Sequence, residues 1–524
     1  MKLIKWGILG VVLCMLLSSL VLWSWGQFAQ RAMGPPSHTL PVHPTQTQFD
    51  RWIAPLLAQH PNQTGVSLVA DNLQAFAVRS LTAQQAQRSI DVQYYLWHDD
   101  LTGRMLKDTL LQAAERGVRV RMLIDDMNGL GIDDSLIAMA SHPNVEVRLF
   151  NPARNRSAGL RRALEMGLRI FSFNRRMHNK AWVVDGRMAI VGGRNIGDEY
   201  FDAAQVNFHD TDLVLIGDGV AQTSAIFDRF WNSNAVIPIT ALRDPLSPEA
   251  TQAYADQRAA WRATVQDTPY VQAVHNQLND PQALFAQVRH HWVDALQVIS
   301  DPPAKAAPIA QSRKTEQWLT FDILQTLFTA REAMWVISPY FVPGNMGSTL
   351  FTGMAARGVD VNIMSNSLAA NDVPLVHSGY APYRQPLLAA GVHLWELKPH
   401  AAAHTSGLGD GGMLGSSGAS LHTKAFVVDG LRGFVGSFNF DPRSAALNTE
   451  MGVLFEHAEL ARDVQNVFLQ AQQPASSYAL ALDAGELRWH DTATGQVWTH
   501  EPDTTWPKRA LARMLGWLPL ESQL

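Results

Sequence analysis

Two short segments of the sequence each place a histidine two residues before a lysine. The two sets of polar residues, each closed by an aspartate, are His178, Lys180 and Asp185, and His422, Lys424 and Asp429. Side chains at positions i and i+2 of a strand point to the same face, so each histidine and lysine should project together. A single pair of this kind is typical of a buried histidine beside a lysine whose stem lies on apolar surface. Two pairs at matching positions indicate a functional site instead.

A long internal repeat surrounds the two segments. RSIDVQYYLWHDD from Arg88 is echoed by REAMWVISPYFVP from Arg331, and AAERGVRVRMLID from Ala113 by MAARGVDVNIMSN from Met354. Both motifs are followed by a glycine and an asparagine: Gly192 and Asn195, and Gly436 and Asn439. Alternating strands and helices predict α/β units with a mostly parallel sheet. We therefore expect an α/β fold in which two duplicated halves pack with pseudo-twofold symmetry around one active site.

The repeated side chains suit a phosphodiester anion better than a metal ion or an acyl group. No metal site is expected, because the lysine beside each histidine would repel a second cation. A Ser–His–Asp site is not expected either, because the position of Ser437 is occupied by Gly193 in the other copy. Lysine ammonium and asparagine amide groups donate hydrogen bonds that match the non-bridging oxygens of a phosphodiester. The donors of this kind are Lys180, Lys424, Asn195 and Asn439.

Two histidines in one site can divide the chemistry between them. One neutral imidazole attacks phosphorus and forms a covalent phosphohistidine. The other, protonated, gives its proton to the leaving alcohol and then deprotonates the incoming alcohol or water. The motif spacing alone does not decide which histidine attacks, or whether the acceptor is an alcohol or water.

Carboxylates near the motifs have two expected roles. Asp185 and Asp429 each precede a glycine in a turn and lie an odd number of residues from their histidine. We keep them among the catalytic candidates in a scaffold or supporting role. A histidine nucleophile also needs a carboxylate to fix its tautomer. Glu450 is the candidate after the second motif and Asp210 its counterpart after the first, with Asp212 on the same strand face as the alternative.

The N-terminal segment predicts a membrane anchor. Lys2 and Lys5 precede an uncharged run from Trp6 to Trp25, which is about the length that spans a bilayer as a helix. The basic flank favours an N terminus in the cytoplasm, which predicts one anchor in the inner membrane of a bacterium and a catalytic domain on the periplasmic side. A cleaved signal peptide is the alternative.

Five segments follow from these patterns. They are an anchor over 1–30, a linker over 31–60, a first half over 61–240, a helical linker over 241–312, and a second half with a C-terminal extension over 313–524. His290 and His291, in the helical linker, are expected at the surface.

Charge and cysteine content restrict the partners. The net charge is −5, which gives no reason to expect nucleic acid as a partner, and the single cysteine excludes an intrachain disulfide. One local exception is the basic stretch from Arg154 to Arg176, with seven arginines and one glutamate. It predicts either a surface that attracts anionic lipid headgroups or an exposed loop over its own domain.

The duplicated H-x-K-x4-D motif with a downstream G-[GS]-x-N resembles the phospholipase D superfamily. The phrases DVQYYLWHDDLTG, RRMHNKAWVVDG, GGRNIGDEYF and GSFNFDPRSAALNTEMG resemble bacterial cardiolipin synthases of the C type. The resemblance covers roughly residues 60–235 and 315–520. It implies a metal-independent phosphatidyltransferase without a cofactor. Phosphatidylglycerol would be the acceptor, and a second phosphatidylglycerol or phosphatidylethanolamine the donor.

The same resemblance implies roles for individual residues. Active-site roles fall on His178, Lys180, Asn195, His422, Lys424, Asn439 and Glu450, with His178 favoured as nucleophile. The phosphate-binding set is Asn195, Asn439, Ser437 and Gly193, although Gly193 replaces the usual serine and lacks its hydroxyl. The alternatives are a phospholipase D-type hydrolase, a nuclease and a non-catalytic membrane scaffold. The oligomeric state is not predicted.

Because the motifs offer no cluster of metal ligands, we expect turnover to survive removal of divalent ions. The purified protein should convert phosphatidylglycerol at the same rate before and after treatment with EDTA. Loss of turnover with EDTA and its return with a divalent ion would contradict the metal-free site.

Overall fold

The computed structural model describes residues 2–128, 132–156, 159–278, 290–306, 315–399 and 418–524. The helices of the N-terminal segment and first half are α1 (Lys2–Ala32), α2 (Gln48–Gln59), α3 (Asn72–Gln85), α4 (Leu101–Glu115), α5 (Asp133–Ala140), α6 (Leu160–Leu168), α7 (Ile170–Phe173) and α8 (Asp218–Trp231). The strands of this half are β1 (Thr64–Val69), β2 (Ser89–Tyr94), β3 (Arg119–Asp125), β4 (Val145–Phe150), β5 (Ala181–Val184), β6 (Met188–Gly192), β7 (Val206–His209), β8 (Asp212–Gly217) and β9 (Val236–Pro238).

The described part of the connection between the halves contains α9 (Pro248–Val265), α10 (Pro269–Leu278), β10 (His291–Val293) and β11 (Ala295–Ser300). The helices of the second half are α11 (Leu319–Phe328), α12 (Gly344–Ala356), α13 (Pro374–Tyr380), α14 (Arg384–Ala389), α15 (Pro442–Ala446), α16 (Ala458–Ala471) and α17 (Trp506–Leu515). Its strands are β12 (Ala333–Ile337), β13 (Asp360–Asn366), β14 (His393–Leu397), β15 (Gly418–Leu421), β16 (Ala425–Val428), β17 (Arg432–Gly436), β18 (Met451–Glu456), β19 (Ser477–Asp483), β20 (Glu486–Asp491) and β21 (Gln496–Trp498).

Each half contains one mixed sheet. The described strands of the first sheet are ordered β10-β1-β8-β6-β5-β2-β3-β4-β9, and those of the second β11-β18-β17-β16-β12-β13-β14-β19-β20-β21. The α/β class and the duplication are confirmed. The expectation of a mostly parallel sheet is wrong, because within the described parts of these two large sheets only β2-β3-β4 and β12-β13-β14 are parallel. Asp-Gly turns join β5 to β6 and β16 to β17 as antiparallel hairpins beside the parallel strands.

A shared core joins the two halves. Apolar side chains from β5 and β16, such as Val183 and Val427, belong to one buried cluster. Helices α8 and α16 contribute Phe227 and Val464 to the same cluster. The outer faces of the two sheets have separate apolar clusters, covered by α3 and α4 in the first half and by α11 and α12 in the second. The inner faces therefore pack together, which brings the two motifs to one interface.

Two predicted linkers contain regular structure. The linker over 31–60 contains α2, which begins at a capping box formed by Thr47 and Asp50. The linker over 241–312 is not entirely helical, because β10 pairs with β1 in the first sheet and β11 pairs with β18 in the second. His291 is buried, with its Nε2 2.6 Å from Asp463 Oδ2. His290 is half-buried, with Nδ1 2.6 Å from Ser67 Oγ, so the surface assignment of both histidines is wrong.

The basic stretch from Arg154 to Arg176 is not a free cationic surface. Several of its arginines are buried in ion pairs with nearby carboxylates: Arg156 with Asp126 and Asp133, Arg169 with Glu165, and Arg176 with Asp125. Arg161 is exposed, whereas Arg162 is buried. Charge in a sequence window does not reveal that the compensating aspartates come from β3 and α5, which are distant in sequence.

Helix α1 extends slightly beyond the predicted anchor. Its segment Ile4–Ala32 is long and apolar enough to cross a membrane, with a mean hydropathy of 2.2 in its most apolar window, none of which is buried. The helix thus includes the whole uncharged run from Trp6 to Trp25 that predicted the anchor.

The motif aspartates Asp185 and Asp429 form hydrogen bonds with the backbone rather than with the other motif side chains. The carboxylate of Asp185 accepts hydrogen bonds from the backbone N–H groups of Gln87, Arg88 and Ser89, which lead into β2. Asp429 accepts from the three residues that lead into β12, namely Arg331, Glu332 and Ala333. Both aspartates have left-handed backbone conformations, with φ of 53° and 51°. This geometry supports the scaffold role.

Replacing Asp185 by Ala should lower the free energy of unfolding by about 1–3 kcal/mol, because three backbone N–H groups, of which that of Ser89 is buried, lose their acceptor. Asp185→Asn should lose less, because asparagine keeps one acceptor oxygen and tolerates a left-handed conformation. Denaturant unfolding of the full chain in detergent measures both. A large loss of turnover in Asp185→Ala without any loss of stability would instead give the residue a direct catalytic role.

Candidate active site

The two motifs meet across the interface through equivalent backbone hydrogen bonds. The N–H of His178 donates to the carbonyl of Thr449 at 2.9 Å, and the N–H of His422 donates to the carbonyl of His209 at 2.8 Å. Strand β15, immediately before the second motif, also pairs with β7 of the first half. These contacts fix each histidine against the opposite half with pseudo-twofold symmetry.

Each histidine is bonded to a carboxylate from the other half. Nδ1 of His178 lies 2.8 Å from Oε2 of Glu450, and Nδ1 of His422 lies 2.5 Å from Oδ2 of Asp210. Asp212, the alternative to Asp210, instead pairs with Arg79. Because Nδ1 is occupied in both histidines, Nε2 is the nitrogen available for chemistry.

The two carboxylates differ in their surroundings. Glu450 also accepts hydrogen bonds from the hydroxyls of Ser437 and Ser444. Burial raises the pKa of Glu450, but the attraction of His178 and Lys180 outweighs burial and lowers the pKa overall. Asp210 accepts the N–H of Thr211 at 2.7 Å, and burial raises its pKa despite the attraction of nearby cations. The site is therefore symmetric in its backbone contacts and asymmetric in the hydrogen bonds that its two carboxylates accept.

The motif lysines are buried cations. The ammonium of Lys180 donates to the carbonyl of His178 at 2.7 Å, and that of Lys424 donates to the carbonyl of His422. Burial lowers the pKa of Lys180 to about 7, an effect that Glu450 opposes and Lys424 reinforces. Burial also lowers the pKa of Lys424 to about 8, against the attraction of Asp210.

Both histidines also favour their neutral form. Burial lowers the pKa of His178 to about 4, with Glu450 opposing the shift. Burial and the nearby Lys424 hold the pKa of His422 well below its usual range. The cationic forms of these four neighbouring side chains are thus disfavoured. A bound anion would stabilise these cationic forms, so the site is suited to an anion.

The asparagines occupy equivalent positions but have different partners. Oδ1 of Asn195 accepts from the N–H of Leu96 at 3.2 Å, and its Nδ2 donates to the hydroxyl of Tyr200 at 2.9 Å. An amide carries two N–H groups, so Asn195 keeps a second donor. Oδ1 of Asn439 is buried without a partner in the described part of the chain. The backbone N–H of Asn439 is bonded to Ser444.

Ser437 and Gly193 differ in their surroundings. The Ser437 hydroxyl donates to Glu450 and accepts from the N–H of Met451 at 3.0 Å, and its phosphate-binding role stays a prediction. A Cβ at Gly193 would lie only 2.3 Å from Oδ1 of Asp210. The first half therefore has glycine because the Asp210 carboxylate occupies the space that a side chain would need.

Several residues around the histidines escaped the sequence analysis. The rings of Tyr95 and His178 are 5.0 Å apart, and the rings of Tyr200 and Phe208 lie 5.1 and 5.0 Å from that of His422. These aromatic walls shield the imidazoles from water. Asp301, at the end of β11, accepts the N–H of Glu450 at 2.9 Å and thus fixes the carboxylate's backbone. Tyr95 and Tyr200 lie within phrases that carry the family resemblance, but their residue types alone did not single them out, and Phe208 and Asp301 lie outside those phrases.

One group outside the motifs has the spacing of metal ligands. Ligand atoms of His98, Asp100 and Glu199 lie within 4.8 Å of one another. Nδ1 of His98 lies 3.2 Å from Oε1 of Glu199, so the group is stabilised by its own ion pair. We assign it no role in the chemistry.

Comparison with known proteins identifies a single family. A family model described as "Cardiolipin synthase, PLD-like domain" matches residues 81–231 and 323–471. Cardiolipin synthase C of Escherichia coli (strain K12) is 41% identical over 474 residues, which cover 90% of this chain and 98% of that protein. Cardiolipin synthase 2 of Staphylococcus epidermidis (strain ATCC 35984) is 26% identical over 408 residues, covering 77% and 67%.

A solved structure shares the fold. A phosphatidylserine synthase from Haemophilus influenzae Rd KW20 aligns with a TM-score of 0.56 over 90% of this chain and 100% of that one. The two are 13% identical, so this likeness concerns the architecture alone.

The lowered lysine pKa values predict how anion binding depends on pH. A soluble dialkyl phosphate keeps one negative charge between about pH 5 and pH 9 and should bind the form with protonated lysines. Its affinity should fall as pH rises above the pKa of Lys180, about 7. The fall should approach about tenfold per pH unit for one titrating lysine.

Isothermal titration calorimetry at several pH values measures this profile. Lys180→Gln is the matched variant: it should bind more weakly at every pH and lose the transition near pH 7. An affinity that stays constant to pH 9 in the unsubstituted protein would contradict the anion site.

Proposed function

Because the chain belongs to the cardiolipin synthase family of phospholipase D-like proteins, we propose that it makes cardiolipin by transferring a phosphatidyl group to phosphatidylglycerol through a phosphohistidine. The coarser assignment is a phospholipase D-superfamily phosphatidyltransferase that acts on phospholipids. The observation that carries the finer proposal is the pair of histidines, each held at Nδ1 by a carboxylate of the opposite half.

We assign the nucleophilic role to His178. Its partner Glu450 receives two serine hydroxyls and has a lowered pKa, so the carboxylate is ionised. An ionised carboxylate stabilises the positive charge that develops on an imidazole when its Nε2 attacks phosphorus. Asp210, with a raised pKa, supports the second histidine in acid–base chemistry instead.

The first step exchanges a P–O bond for a P–N bond. Nε2 of His178 attacks the phosphorus of the donor, and the leaving alcohol takes a proton from His422. His422 becomes protonated when the anionic substrate binds, because the negative charge raises the pKa of the nearby cationic groups. Lys180 and Lys424 stabilise the charge on the non-bridging oxygens, and one such donor is worth about 3–4 kcal/mol.

The second step reverses the proton transfer. His422 removes the proton from the terminal hydroxyl of phosphatidylglycerol, whose oxygen attacks phosphorus while the P–N bond breaks. With phosphatidylglycerol as donor, two molecules of it yield cardiolipin and glycerol. With phosphatidylethanolamine as donor, the leaving alcohol is ethanolamine. The names of the relatives support a lipid alcohol, rather than water, as acceptor.

We also propose the location of the reaction. Helix α1 would anchor the chain in the inner membrane, and Lys2 and Lys5 at its start favour a cytoplasmic N terminus. The catalytic halves would then lie on the periplasmic side.

Two consecutive in-line displacements predict net retention at phosphorus. A donor with a chiral phosphorus label should yield cardiolipin of the same configuration, with little phosphatidic acid. Both His178→Ala and His422→Ala should lose nearly all turnover of phosphatidylglycerol, by at least about 10²-fold. Glu456→Gln, an exposed carboxylate on the strand that follows Glu450, is the matched control and should be unaffected.

An activated donor separates the two histidines. A p-nitrophenyl phosphatidyl ester needs no proton on its leaving group, so His422→Ala should still form a phosphohistidine at residue 178, detectable by mass spectrometry. His178→Ala should form none. Net inversion would exclude the covalent intermediate, and phosphatidic acid as the main product would make the protein a hydrolase.

A further inference from the structure

The C-terminal part of α1 packs against the first half. Residues at Ser18, Val21, Leu22, Trp25 and Ala29 are buried or half-buried, whereas Ile4 to Leu17 are exposed. Their spacing places them on one face of the helix. The anchor is therefore rigidly connected to the catalytic domain through a packed helix face rather than through a loose linker.

The contacts along α1 give its direction relative to the first sheet. Gly34 lies beside Arg148 in β4. The indole N–H of Trp25 donates to the carbonyl of Pro152 at 3.0 Å, just past the carboxyl end of β4. The Ser18 hydroxyl donates to the carbonyl of Leu168, farther from the strand. Traced toward its N terminus, α1 thus runs alongside β4 and leaves the domain at the carboxyl ends of the parallel strands.

The catalytic groups lie at the same edge of the sheet. Strand β5 is antiparallel to β2 with Ala181 opposite Gln93, so His178 lies beyond the carboxyl end of β2. The exposed segment of α1 therefore projects from the edge that carries the active site.

Exposed apolar side chains flank the motif at this edge. Leu160 and Leu164 of α6 and Ile170 of α7 are 76%, 55% and 57% exposed. On the other side, Trp517 and Leu518 are 84% and 49% exposed.

The C-terminal tail is held at this edge by contacts with both halves. Asn174, four residues before His178, donates to the side chain of Gln523 at 2.8 Å. Arg443, near the second motif, donates its N–H to the carbonyl of Leu524 at 2.6 Å.

We propose that this edge is seated on the lipid bilayer, with α6, α7 and residues 517–520 inserted at the boundary between headgroups and acyl chains. The inference rests on the proposed membrane anchoring by α1. Ser18 lies seven residues before Trp25, the end of the uncharged run. At about 1.5 Å per residue, the contact with Leu168 is about 10 Å deep, which is the depth of interfacial helices. The site then opens directly onto lipid headgroups.

The inserted surface is mainly apolar, although Arg161 of α6 is exposed beside Leu160. Arg156 and Arg169 form ion pairs with carboxylates of the same domain. The guanidinium carbon of Arg154 lies 4.7 Å from the ring centre of Phe28 of α1. Insertion should therefore depend on buried apolar area and resist salt, unlike attraction by a basic patch.

Depth-dependent fluorescence quenching tests the placement without requiring catalysis. The full chain is reconstituted in vesicles of phosphatidylglycerol and phosphatidylethanolamine that contain a quencher lipid. A fluorophore is attached to native Cys14 in α1, or, in a Cys14→Ser background, to Leu164→Cys or Phe328→Cys. Phe328 is the matched control, because it is 56% exposed and precedes β12, at the edge opposite the site.

Labels at residues 14 and 164 should be quenched several-fold more than the label at 328, in low and high salt alike. Quenching at 14 with none at 164 would overturn the inference while leaving the anchor intact. No quenching at 14 would overturn the anchor itself.

Charge insertion supplies a functional test. Leu164→Glu together with Ile170→Glu should lower turnover of phosphatidylglycerol in bilayers by about tenfold or more, because charged side chains resist insertion. Turnover of a soluble short-chain phosphatidylglycerol should be unchanged, and Phe328→Glu should affect neither. Equal losses on both substrates, or no loss on either, would overturn the interfacial role.

Discussion

Each histidine of the site depends on a carboxylate that the other half of the chain supplies. Nδ1 of His178 needs Glu450 and Nδ1 of His422 needs Asp210, so neither half alone contains an oriented imidazole. The exchange also fixes how the halves pack, since the backbone N–H of each histidine bonds to the residue just before the opposite carboxylate. Hydrogen bonds to charged groups contribute about 1.5–3 kcal/mol each. The packing of the shared core, to which α8 and α16 contribute, and the geometry of the catalytic residues therefore depend on each other.

Burial of the basic groups is the second consequence of this packing. Lys180, Lys424 and both histidines share one enclosed pocket, and their pKa values all fall below the usual range. Two carboxylates compensate this charge only in part, and they are themselves committed to the histidines. A bound phosphodiester adds the missing negative charge at the centre of the pocket, which strengthens every hydrogen bond to it at low dielectric. Substrate binding and activation of the acid–base group are therefore coupled.

Local patterns in the sequence were sufficient to predict the motifs and the duplication. They also predicted that each histidine has a carboxylate partner. The Asp-Gly turns and the spacing of Glu450 and Asp210 were readable because they are contiguous or repeated. Contacts between residues far apart in sequence could not be predicted in this way. Examples are the ion pairs of the arginines near α6, the pairing of β10 and β11, and the role of Asp301. The capping box of α2 was a local signal that the polar composition of its surroundings concealed.

The departure from symmetry at Gly193 bears on how the proposed mechanism divides two roles between the halves. If both halves were identical, both histidines would have the same proton affinity, and neither attack nor proton donation would be favoured at either one. In the second half the Ser437 hydroxyl bonds to Glu450, whose pKa is lowered mainly by His178 and Lys180. In the first half the carboxylate of Asp210 closes over Gly193, where a serine side chain would collide with it, and its pKa is raised by burial. Under the proposed mechanism this difference favours His178 as the nucleophile, because the carboxylate that receives two serine hydroxyls better stabilises the positive charge on an attacking imidazole, and it leaves His422 as the general acid.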